Sequence, residues 1–121
     1  MALVVFDSSN SPNVPASPKK GAQVTAVLNA FGTNASCDVL DFRGYKYLAV
    51  LPGLAMTGVT VYAGPTPTGP FNKINDLGTT GSVAMSATTW NSLDPTKIAP
   101  YSYLQIAVGG TTGTIQVAAS T

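Results

Sequence analysis

Apolar residues recur at every second position along this chain, in short runs separated by Gly, Pro, Asn and Asp. Strand side chains alternate between two faces, so such runs predict half-buried strands. No segment of ten residues holds a helical stripe free of Gly, Pro or β-branched interruption. Val24, Ala26 and Leu28 alternate, as do Cys37 and Val39, with Leu40 and Phe42 on the opposite phase. The run "YKYLAVLP" at 45–52 is apolar on both faces after Lys46, which predicts a strand inside a sheet. Val59, Val61 and Ala63 share one face of the next run, and Val83, Met85 and Ala87 alternate again. Leu104, Ile106 and Val108 are expected inward, with Tyr103 and Gln105 outward. Ile115, Val117 and Ala119 close the pattern, and "GGTTG" at 109–113 predicts a hairpin between these last two strands. The stretch "SATTWNSL" at 86–93 has room for one turn of helix. The sum is an all-β chain, a β-sandwich or jelly roll of about seven or eight short strands.

Composition agrees with that class. Only 9% of the 121 residues are charged, Glu and His are absent, and Thr occurs 15 times. Long charged side chains usually coat helices, whereas Thr, Val and Tyr suit a pleated surface. A neutral Thr- and Ser-rich surface is also compatible with being covered by partners. The length fits one domain that buries roughly two-thirds of its unfolded surface, enough for a core without staples. Cys37 stands alone, so no intrachain disulfide is expected. The opening "MALVVFDSSN" lacks the basic region of a signal peptide, and no apolar run nears the roughly 20 residues of a membrane span. A soluble chain made in the cytosol, without membrane contact, is the expectation.

Two segments stand apart from the alternating pattern. "DSSNSPNVPASPKKG" at 7–21 has three prolines and no periodicity. Each Pro fixes its own φ and pushes the preceding residue toward extended geometry. The expected division is an extended N-terminal arm over 1–20 and a sandwich domain over 21–121. Leu3, Val4, Val5 and Phe6 would then add a strand to a neighbouring subunit or to another partner surface, not to their own sandwich, with Val14 and Pro15 following along it. Lys19 and Lys20 would meet acidic groups of that partner. The second segment is "GPTPTGP" at 64–70. Pro65, Pro67 and Pro70 remove three backbone donors, so its tip cannot template a stray strand. A stiff loop loses little entropy when a partner docks, which makes Pro65 and Pro67 candidate contacts.

Catalytic chemistry is poorly provided for. Without His, neither a Ser-His-Asp nor a Cys-His pair can be built. Cys37 has no cationic sequence neighbour to favour a thiolate and reads as a buried structural thiol. One Cys and no His leave no zinc ligand set. The five aspartates, Asp7, Asp38, Asp41, Asp76 and Asp94, suit turns and caps where Asp bonds backbone amides. No catalytic residue, metal or cofactor is expected, and no enzyme activity. The six basic residues are too scattered for a phosphate-binding face, so no nucleic acid is expected as a partner. Trp90, Tyr62, Tyr101 and Tyr103 are the aromatics from which a sugar-stacking platform could be assembled.

The stretch "DFRGYKYLAVLPGLAMTGVTVYAGPTPTGPFNKINDLGTTGSV", followed by "LDPTKIAPYSYLQIAVGG", resembles small structural proteins of tailed-phage virions. The shared order is a strand ending at Pro52, then V-x-V-Y-A-G ending at Gly64, a Gly/Pro loop and G-P-F-x-x-I ending at Ile74. It continues through the D-x-G turn at Asp76 and Gly78, then L-D-P and Y-x-Y-L-Q-I ending at Ile106. The resemblance spans about residues 41–117. It implies a capsid decoration, or cement, protein: a non-enzymatic β-sandwich, often a homotrimer, covering joints between major capsid protein subunits on the virion surface. The alternative is a carbohydrate-binding or adhesin module of a tail or head fibre.

Overall fold

The computed structural model of the chain describes residues 2–8, 11–15, 24–78, 81–108 and 113–121. Among them run β1 (Leu3–Val4), β2 (Asp7–Ser8), β3 (Ser11–Pro15), β4 (Val24–Ala30), β5 (Val39–Asp41) and β6 (Tyr47–Leu51). They are followed by β7 (Met56–Gly64), β8 (Asn72–Lys73), β9 (Val83–Met85), β10 (Asn91–Ser92), β11 (Tyr103–Ala107) and β12 (Gly113–Ser120). A 3₁₀ turn spans Asn34–Ser36, and a single helical turn, α1, spans Pro95–Ile98.

Two sheets face each other as a β-sandwich. One orders β1-β5-β11-β7-β8, with β9 also on β7; the other orders β10-β6-β12-β4. The alternating runs supply the core from both sides. Leu40, Val59, Val61, Leu104 and Ile106 come from the first sheet, and Leu28, Leu48, Val50, Ile115 and Val117 from the second. As the sequence predicts, β6 lies inside its sheet, between β10 and β12.

The N-terminal stretch departs from expectation. Residues 2–6 do not leave the body. Leu3 and Val4 pair in parallel with Val39 and Leu40 of β5, so β1 is an edge strand of the chain's own sheet. Phe6 is 2% exposed and meets Tyr45 edge-on at 5.0 Å between ring centroids. The division at residue 20 therefore fails for 2–6, because the sandwich offers β1 an unpaired edge and Phe6 an aromatic pocket. The next stretch is not simply extended either, since β2 and β3 form an antiparallel ladder with an irregular register. Prolines are tolerated in such a ribbon because its outer edges need no donors. Lys19 and Lys20 lie outside the described residues.

Three local expectations are corrected as well. Strands β11 and β12 do not form a hairpin: β11 pairs with β5 and β7, and β12 with β4 and β6, so the connection crosses between sheets. Residues 109–112 themselves lie outside the described set. Tyr103 and Gln105 do not face solvent. The segment around the 3₁₀ turn covers that face, where Gln105 Nε2 donates to the Cys37 carbonyl at 3.1 Å and Asn34 Nδ2 donates to Gln105 Oε1 at 3.3 Å. Finally, "SATTWNSL" is no helix. Thr88 has φ +54°, and the Asn91 side chain closes the segment by accepting from Ser86 N and donating to the Ser86 and Thr89 carbonyls. The helical turn comes later, where Asp94 caps α1 by accepting from Thr96 N at 3.0 Å, with Pro95 at its first position.

Candidate functional site: an aromatic trough and an apolar edge

The outward positions of the four-stranded sheet follow from its register. Leu48 and Val50 point into the core, so Tyr47, Ala49 and Leu51 point out. Val117 and Ala119 point in, so Gln116, Ala118 and Ser120 point out beside them. Thr25, Val27 and Asn29 continue the face on β4, and Ser92 enters it opposite Ala49. None of these residues carries a charge.

At the β10 side this face sinks into an open trough of about 530 Å³. Ala49 and Ala118 are its floor, Ser92 and Ser120 add hydroxyls, and Trp90 and Tyr47 are its aromatic walls. Trp90 stays 43% exposed and Tyr47 44%, so their rings are available to a ligand. The Asn91 amide fixes the chain beside Trp90, reaching the Val50 carbonyl at 3.3 Å as well as its own loop. Thr88 N ties the same loop to the Pro52 carbonyl at 2.9 Å. Lys46 Nζ lies 5.4 Å from the Tyr47 ring centroid, a cation–π contact at the rim.

The other edge of this sheet is different. There β4 ends its sheet next to β1, and Leu3, Val27 and Phe31 remain exposed. The buried Asp38 carboxylate holds this side together. Its Oδ1 accepts from Ala2 N at 3.1 Å and its Oδ2 from Asn29 N at 2.9 Å, so one side chain joins β5 to the start of β1 and to β4.

A second cavity, of about 480 Å³, lies beside the proline loop between Pro65, Pro70, Lys73 and Tyr101. The loop closes a β7–β8 hairpin in which Thr66 Oγ1 donates to the Gly69 carbonyl at 2.6 Å. Pro65 and Pro67 are exposed at its tip, as expected. The strand order puts this hairpin at the far end of the sheet from Leu3. The sequence-derived contacts thus fall in separate places. Leu3 is on an exposed edge, Val4 and Val5 are half-buried, Phe6 is in the core, and Pro65 and Pro67 are at the other end. Val14 and Pro15 belong to β3, paired with β2.

The four aromatics from which a platform could be built, Trp90, Tyr62, Tyr101 and Tyr103, do not come together as one. Tyr103 is buried under the Arg43 guanidinium, 5.2 Å from its centroid, and Tyr101 lines the second cavity. Trp90 instead shares its trough with Tyr47, which the sequence shows only as a strand residue. The aspartates whose side chains are described all have structural partners. Besides Asp38 and Asp94, Asp41 takes a two-pronged contact from Arg43 at 2.7 and 2.9 Å, and Asp76 pairs with Lys97 at 3.1 Å. The Cys37 thiol is buried and contacts the Phe31 and Thr33 carbonyls, and burial pushes its pKa up. Among the described residues, no three His, Cys, Asp or Glu side chains gather to hold a metal ion. No protein-family model, curated protein or solved structure matches the chain. What the geometry defines is a β-sandwich with an aromatic trough towards the β10 side of its four-stranded sheet and exposed apolar side chains towards the β4 edge.

Proposed function

We propose that this chain is a non-enzymatic structural protein of a tailed-phage virion, a decoration or cement protein that bridges major capsid protein subunits, and that it acts as a homotrimer. The observation that carries the reading is the apolar edge of β1 and β4, where Leu3, Val27 and Phe31 are exposed on a body with few charges. The resemblance over residues 41–117 supports it from the sequence side. Burying such an edge between neighbouring shell subunits stabilises the shell by linkage, since binding favours the assembled state. An apolar edge with little charge suits a permanent partner better than transient encounters, whose surfaces are more polar.

The test uses shells of the phage that encodes the chain. The wild-type protein should be found in purified virions at a copy number comparable to the major capsid protein. A Leu3→Asp/Val27→Asp variant should keep the circular dichroism spectrum of the wild type and load onto undecorated shells at least about tenfold more weakly. Absence from virions, or undiminished loading of the folded variant, overturns the proposal. Light scattering across concentration reads the trimer separately.

A further inference from the structure

The trough between Trp90 and Tyr47 lies on the β10 side of the four-stranded sheet, and the apolar edge lies on the β4 side. Two strands separate β10 from β4, so the Trp90 wall is about 14 Å from β4 across the sheet, while the Ala118 floor lies one strand from it. A body held by its β4 edge can keep the trough open to solvent. The trough therefore has its own ligand question, independent of the shell reading.

We infer that this trough is a binding site for a short neutral oligosaccharide. Sugar rings present an apolar C–H face and a rim of hydroxyls. A site for them needs exposed aromatic faces, small residues between, and polar groups beside them. Trp90 and Tyr47 provide the first, Ala49 and Ala118 the second, and Ser92 and Ser120 the third. The register gives the scale. Trp90 falls opposite Leu51, and Tyr47 is four residues along β6 from there, about 13 Å. That spacing suits two rings of one chain, each against its own aromatic, better than a single ring between both. The volume, about 530 Å³, falls in the range of small-ligand sites, about 300–1,000 Å³.

Other ligand classes fit less well. Among the described residues no carboxylate lines the trough, which disfavours a metal ion, and Lys46 is committed to the Tyr47 ring at the rim. A phosphate would find no paired donors of the kind that Arg or a helix end supplies. The open, hydroxyl-bearing sheet surface does not enclose an aliphatic chain.

Trp90 is the only tryptophan, so its fluorescence reports on the site without labelling. The full chain is titrated with maltotriose, cellotriose, laminaritriose and chitotriose, and with sialyllactose as an acidic probe. The expected result is a saturable change in Trp emission with at least one neutral trisaccharide, at a Kd of about 1 mM or tighter. Calorimetry on Trp90→Ala and Tyr47→Ala should show affinity reduced at least about tenfold, while Tyr101→Ala in the other cavity binds as the wild type does. Silence toward every probe by fluorescence and calorimetry, response to sialyllactose alone, or binding that survives Trp90→Ala in calorimetry each overturns the inference. Shell loading by Trp90→Ala should equal that of the wild type, so failure here is distinguishable from failure of the shell reading.

Discussion

Asp38 shows how far one side chain reaches in a chain with so few charges. The sequence places it where Asp bonds backbone amides, and it does bond two, but they belong to Ala2 and Asn29, well away along the chain. Replacing Asp38 with Ala leaves both amides without this acceptor, and each such part-buried hydrogen bond contributes about 0.5–1.5 kcal/mol net. Urea melts of Asp38→Ala should show a clearly lower midpoint, and Asp38→Asn, which keeps one acceptor oxygen, should recover part of it. Gly78 is more local. It holds φ +72°, and a Cβ there would collide with the Ser82 carbonyl. Gly78→Ala should therefore destabilise by about 1–2 kcal/mol or more, since a left-handed conformation alone costs that much for an L-residue. The D-x-G signal made this turn legible, because a glycine's backbone freedom is a property of the residue itself. Gln105 was not legible. Alternation puts it outward, and only the remote segment around Asn34 turns that outward face into an interior.

The elements divide along the same line. Strands β4, β6, β7, β11 and β12 were readable because each carries its own alternation. Their partners were not. Consecutive strands usually neighbour each other, which favours a hairpin for β11 and β12, yet here the chain changes sheets. Residues 2–6 read as a strand, of which Leu3–Val4 form one, but so short a segment cannot specify which edge it joins, and the edge is the chain's own. The trough was half-legible in the same sense. Trp90 drew notice as an aromatic, whereas Ala49 and Ala118 matter only because the register sets them side by side. The position of β1 has an energetic consequence. Phe6 fills a site against Tyr45, and Phe→Ala in a core costs about 3–5 kcal/mol. Phe6→Ala should lower the denaturation midpoint by that measure, and deleting residues 2–6 should lower it further, because the β5 edge and the Asp38 carboxylate also lose partners. A deletion variant as stable as the wild type would return this segment to the status of a detachable arm.

For the molecule as a whole, the absence of His sets the response to pH. No side chain present titrates at its ordinary value between about pH 5 and 8, so stability should form a plateau there. The acid limb comes from depressed carboxyls. Partial burial pushes Asp41 up, but the Arg43 hydrogen bonds and charge outweigh it and hold the carboxyl below its ordinary value. The Thr96 hydroxyl and amide hold Asp94 down likewise. A depressed carboxyl contributes stability that is complete above the unfolded value, about 3.9 for Asp, and is lost as pH falls through the folded value. The alkaline limb has the opposite sign. Burial raises the Cys37 thiol, aided by the Asp38 charge and opposed by the Phe31 amide, and burial also raises Tyr45. Their contribution is complete below the unfolded values, about 8.5 for Cys and 10 for Tyr, and is lost as pH rises through the folded ones. Thermal midpoints followed by circular dichroism should thus be level from about pH 5 to 8 and fall on both sides. Cys37→Ser should flatten the alkaline limb, on top of a pH-independent shift in midpoint from replacing a buried thiol. Arg43→Ala should lower the plateau and flatten the acid limb, because Asp41 then titrates nearer its unfolded value and has less stability to lose. An acid limb of unchanged steepness in Arg43→Ala would mean that the Asp41–Arg43 pair, exposed on its Arg side, contributes nothing measurable.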